Sequence, residues 1–246
     1  MRHTSVWPAS LLALLLLSSC DKTPTSTESP ASTQDAIAQE TVFELETAAH
    51  GEPFDIAEVF FEFNTTDDDL GFQLFLDAEG WRRVTLHNPG NNRLLQVFAD
   101  GPLANLGITE LRFESAEPSP EAVLRRFPPG EYILRGETVE GGSLVSRARL
   151  SHNFAPAPTF TPRNGQLVDR RNTVVKWNAP RAEGVEVILE QEDLGEVFDV
   201  TVTGLIDRLT IPPQFLRPGR EYKIELLSIA ANGNRTIAES TFRTRR

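Results

Sequence analysis

Leu216-Arg217-Pro218-Gly219-Arg220-Glu221-Tyr222-Lys223-Ile224-Glu225-Leu226 is the stretch that decides the fold class. Its second half alternates, with Tyr222, Ile224 and Leu226 apolar and Lys223 and Glu225 charged. A period of two puts the apolar side chains on one face of a β-strand and the charges on the other. The first half is punctuation, since Pro218-Gly219 marks a turn. A tyrosine placed after such a turn can bury its ring while its hydroxyl bonds the backbone upstream.

The same alternation recurs on both sides. Val185, Val187 and Leu189 alternate with Glu186, Ile188 and Glu190, and Phe198, Val200 and Val202 with Asp199 and Thr201. Leu209 and Ile211 flank Thr210, and Thr241 to Thr244 closes the chain. Thr173 to Trp177 ends in an indole before Asn178-Ala179-Pro180, which reads as a core anchor beside a turn. Gly, Pro and Asn clusters separate these runs at the spacing of a β-sandwich.

Trp177 and the Leu-x-Pro-Gly-x-x-Tyr run ending at Tyr222 resemble a fibronectin type III domain over about Pro156 to Arg246. The resemblance implies a strand-B tryptophan filling the core at Trp177 and a tyrosine corner at Tyr222 before strand F. It implies a fold and no activity. Binding on this fold would lie in loops such as Ala231-Asn232-Gly233-Asn234-Arg235.

Upstream, strand signals dominate again. Val59 to Phe63 is β-branched and aromatic, Phe72, Leu74 and Leu76 alternate, and Trp81 to Leu86 leads to a turn at Asn88-Pro89-Gly90. Leu94 to Ala99 and Ile108 to Glu114 follow. Tyr132 to Leu134 and Leu144 to Leu150 flank Glu140-Gly141-Gly142 and read as a hairpin. One helix is expected: Ser119-Pro120-Glu121 supplies an N-cap, a first-turn proline and an early acid, and Pro128-Pro129-Gly130 ends it. The Gly130-Glu131-Tyr132 entry resembles strand starts of bacterial immunoglobulin-like domains.

Between these halves lies Ala155-Pro156-Ala157-Pro158, an extended, semi-rigid joint. Charge shifts there. Residues 41–154 hold 19 acids and 9 Lys or Arg, whereas residues 155–246 hold 12 acids and 13 Lys or Arg. The chain is therefore expected to be all-β, with two β-sandwich domains in tandem at 41–154 and 155–246.

The first residues read as an export signal. Leu11 to Leu17 is almost pure leucine, too short to span a bilayer, and follows Arg2. Leu17-Ser18-Ser19-Cys20 resembles the lipobox of bacterial lipoproteins. The resemblance implies cleavage after residue 19 and diacylglycerol on Cys20, the only cysteine in the chain. An ordinary signal with an incidental cysteine is the alternative. Asp21 resembles the inner-membrane retention signal of enterobacterial lipoproteins. Residues 20–40 are rich in Ser, Thr, Pro, Ala and acids without an aromatic, and read as a disordered tether. The expected location is the cell envelope, lipid-anchored, on the periplasmic face of the inner or outer membrane or at the cell surface.

A net charge of −11 argues against nucleic acid as a partner, because phosphate binding needs clustered Lys and Arg. Asp67-Asp68-Asp69, in an expected loop, is the one run suited to a hard cation, and calcium is its candidate cofactor. A solvated acidic loop is the alternative reading. Position twelve from Asp67 is Ala78, so the EF-hand spacing is absent. His50, His87 and His152 have no zinc spacing, and no Gly-x-Ser-x-Gly elbow or phosphate-cradling loop occurs. The first functional reading is a non-catalytic envelope protein presenting β-sandwiches to a protein or polymer, through partners the sequence does not name. A calcium-dependent carbohydrate-binding or adhesive module is the second, and a hydrolase or hydrolase accessory the third.

Overall fold

The computed structural model describes residues 51–246. The expectations for the signal, for Cys20, for the tether and for residues 41–50 lie outside the described residues.

The described chain is all-β. Its first half is built from β1 (Ile56–Asn64), β2 (Asp69–His87), β3 (Arg93–Phe98), β4 (Ile108–Glu114), β5 (Gly130–Thr138) and β6 (Ser143–Leu150). β2 is one strand of 19 residues where the alternation predicts two. Its first part runs between β1 and β4, and its second part between β3 and β5, with β6 beyond β5. The register slips between Asp77 and Trp81, and there β2 meets the turn after the short helix Leu103–Leu106. A Cβ on Gly107, whose φ is +78°, would lie 2.7 Å from Gly80 Cα. That approach and the positive φ both require glycine at 107.

Trp81, Phe61, Phe72, Leu74, Leu76, Leu86, Tyr132 and Leu134 fill the core of this half. The helix Pro120–Arg126 forms as its sequence predicts: Ser119 caps it, accepting from the Ala122 amide at 3.4 Å. It delivers Phe127 onto Phe72, ring on ring at 4.1 Å. Burying each such side chain contributes about 1.5–3 kcal/mol before entropy.

The second half contains β7 (Thr159–Thr161), β8 (Gln166–Val168), β9 (Val174–Asn178), β10 (Gly184–Gln191), β11 (Gly195–Thr203), β12 (Arg208–Thr210), β13 (Glu221–Ile229) and β14 (Arg235–Thr244). A three-stranded sheet, β12-β9-β7, packs on β11-β10-β13-β14, with β8 parallel to β14. Trp177 sits in the central strand of the smaller sheet and Tyr222 opens β13 in the larger, both within one apolar cluster. The Tyr222 hydroxyl accepts the Arg217 amide proton at 2.6 Å, and its ring stacks on Phe242 at 5.5 Å. This half is a β-sandwich with a tyrosine bonded back to the turn before its strand.

The halves are joined by more than the proline segment. β1 pairs in parallel with β14, Glu62 opposite Arg235 and Asn64 opposite Ile237, so strands of both halves form one eleven-stranded sheet. Ala155 is buried, and its carbonyl accepts from the Thr236 hydroxyl at 2.9 Å.

Candidate functional site

The seam between β1 and β14 gathers a cluster of buried and half-buried polar side chains. At its centre is Asn234, fully buried. Its Oδ1 accepts the Phe61 amide proton at 3.0 Å, and its Nδ2 donates to the carbonyls of Ser151 at 2.7 Å and Asn153 at 2.9 Å. Two segments of the first half, β1 at Phe61 and the chain at 151–153, are thus held by one side chain of the second. Asn232 Nδ2 adds a bond to the Asn153 carbonyl at 2.8 Å. Thr65 donates both its amide and its hydroxyl to the Ile237 carbonyl, at 3.0 and 2.7 Å.

Alternation puts Glu62, Arg235, Glu239, Glu225, Lys223, Glu186 and Glu190 on the outer face of the shared sheet. Beneath them Leu227 and Ile237 are buried although they point away from the core of the second half. Arg235 covers this apolar floor: its guanidinium stands 4.8 Å over the Phe60 ring, 3.1 Å from Glu186 Oε2 and 3.7 Å from Glu62 Oε2. Lys223 pairs with Glu225, with Glu190 at 3.2 Å and with Glu239 at 3.6 Å. Burial pushes the Glu62 carboxyl up to about 7; Arg235 opposes the shift, and Glu114, Glu186 and Glu225 add to it. Burial also raises Glu186 and Glu225 against the pull of Arg235 and Lys223 respectively.

Beside the seam lies an open cleft of about 750 Å³. Ala57, Phe60, Arg149, Glu183, Asn232 and Arg235 are among its walls. Small residues and mixed charges suit a polar surface contact rather than enclosure of a small molecule.

The expected loop site at Ala231 to Arg235 is divided. Asn234 turns inward and is used up by the seam, while Asn232 and Gly233 border the cleft. Asp67 and Asp68 lie exposed in the turn between β1 and β2, Asp68 at φ +56°, while Asp69 opens β2 opposite Asn64. Asn64 organises the turn, accepting the Thr66 amide proton at 2.9 Å and donating to Asp67 at 3.4 Å and to Glu239 at 2.7 Å. Burial, then the charges of Asp67, Glu239, Glu114 and Asp68, push the Asp69 carboxyl above the usual range. Among the described residues no three His, Cys, Asp or Glu side chains are grouped so as to hold a metal ion. No described helix is long and apolar enough to cross a membrane.

No family model and no curated protein matches the chain. Solved structures similar to it include the FN1–FN3 domains of chicken CNTN1, 13% identical, covering 80% of this chain and 70% of that one, with a TM-score of 0.34. A segment of two fibronectin type III domains from chicken tenascin is 15% identical, covering 78% and 99%, with a TM-score of 0.31. A bacterial ice-binding adhesin is 8% identical, covering 80% and 66%, with a TM-score of 0.27. Likenesses this distant say nothing of what the chain binds.

Proposed function

We propose that the chain is a non-catalytic, lipid-anchored cell-envelope protein that presents two fastened β-sandwiches to a protein or polymer partner. One observation supports this most: β1 and β14 share a ladder, with Asn234 binding two segments across it. Catalytic clefts between domains commonly close by hinge motion, and a hydrogen-bonded ladder resists that motion. A tethered rigid unit instead holds a contact surface at a set orientation. The cleft beside the seam and the charged outer face are the surfaces it would offer. Cys20 and the leucine run before it support the anchor.

Palmitate labelling tests the anchor: the wild-type chain should take up label and Cys20→Ala should not. A chain labelled equally in both forms would refute it. The binding half is tested by a peptide library and a glycan array probed with residues 41–246, with and without calcium. Capture weakened by charge reversal at Arg149 and Glu183 would support the cleft as the contact site. Capture unaffected by those changes would remove it.

A further inference from the structure

We infer that the seam between the two halves is a pH-sensitive joint, held more tightly in mild acid than in mild alkali. The inference is independent of what the cleft binds. It rests on a mismatch of charges at one place in the fold.

Five carboxylates crowd the outer face where β1 meets β14: Glu62 of β1, Glu186 and Glu190 of β10, Glu225 of β13 and Glu239 of β14. Glu114 of β4 and Asp199 of β11 approach from either side. Two cations serve them, Arg235 and Lys223. The side chains of Glu186, Glu225, Glu239 and Glu62 are only 12, 15, 16 and 23% exposed, so water screens their repulsion poorly. Lys223 is committed to the β10, β13 and β14 acids. Arg235 is nearer Glu186 than Glu62. Glu62 is therefore the member least compensated, and it is the one that the first half contributes across the ladder.

A group crowded in this way takes up a proton to relieve repulsion and desolvation together. Opening the seam returns Glu62 to water and to an ordinary affinity for protons. The closed seam then binds more protons than the open one between the ordinary glutamate range and about 7. Closure is favoured as pH falls through that window and loses this contribution as pH rises beyond it. Between pH 6 and pH 8 the opening equilibrium should rise about tenfold.

Hydrogen exchange on the full chain in detergent tests this. Protection of peptides covering 61–65 and 235–239 is compared at pH 6 and pH 8, after correction for intrinsic chemical exchange. The seam should open about tenfold more at pH 8, while peptides over Val174–Asn178 keep equal protection. Glu62→Gln, which keeps shape and removes the charge, should hold the seam at pH 8 as firmly as at pH 6. Equal seam protection at both pH values in the wild type would overturn the inference. So would an unchanged pH dependence in Glu62→Gln. Should that variant lose protection at Val174–Asn178 as well, the wild-type comparison decides alone.

Discussion

The Phe61 amide of the first half donates to Asn234 Oδ1 of the second at 3.0 Å, across 173 positions of sequence, and the bond is fully buried. The orientation of the amide group follows from its surroundings, because Nδ2 faces two carbonyls and Oδ1 faces an N–H. Asn234→Ala takes the partner from the buried Phe61 amide and from the Ser151 carbonyl, while the Asn153 carbonyl keeps Asn232. Leaving even one such group unpaired costs about 1–3 kcal/mol. Asn234→Asp should be at least as damaging near neutral pH, since a carboxylate would face the carbonyls of Ser151 and Asn153. Denaturant melts of both variants check this. An aspartate variant as stable as wild type would show that the two carbonyl contacts contribute little.

Trp177 anchors the second core, yet its Nε1 is buried without a partner. Trp177→Ala should cost about 3–5 kcal/mol, as large aromatic truncations do. Trp177→Phe should cost much less, because it keeps an aromatic ring and removes an unpaired donor. Equal losses for the two would mean that indole shape, and not burial, dominates at this site.

Tyr222→Phe keeps the ring stacked on Phe242 and deletes the oxygen that accepts from Arg217. The expected loss is about 0.5–1.5 kcal/mol, plus the cost of stranding the amide if water cannot reach it. An unchanged midpoint in urea would show that solvent replaces the hydroxyl fully.

Gly107→Ala tests the bend in β2. Both the positive φ and the 2.7 Å approach to Gly80 oppose a methyl group. The variant should be destabilised by more than 1 kcal/mol, roughly the scale for alanine at a left-handed position. Gly141→Ala, also at positive φ but with open space around it, should lose less. The reverse order would place the strain in the hairpin turn and not at the bend.

Much of the fold is legible in sequence because it is local. The alternation around Tyr222, the Ser119 cap with Pro120, and the Gly141-Gly142 hairpin each report on neighbours a few residues away. The seam is different. Its pairs lie from 81 to 175 positions apart, and the residues that make it are common ones: Asn64, Thr65, Asn234 and Thr236. One signal does point to it. Val59-Phe60-Phe61 is an unbroken apolar run, which marks a strand covered on both faces. Leu227 and Ile237 carry the same message from the other side, apolar where alternation calls for polar. The acidic run at Asp67 to Asp69 was visible as charge, but its role in the fold depends on Asn64 bonding Glu239, which no local pattern encodes.

Native-state hydrogen exchange at the seam tests the account at its centre, the claim that both halves move as one body. At pH 6, where the seam is held most tightly, the amides of Phe61 and Thr65 should be protected nearly as strongly as Trp177 in the second core and Leu134 in the first. Rapid exchange at Phe61 and Thr65 while Trp177 and Leu134 stay protected would contradict it, and would leave two sandwiches joined by a hinge.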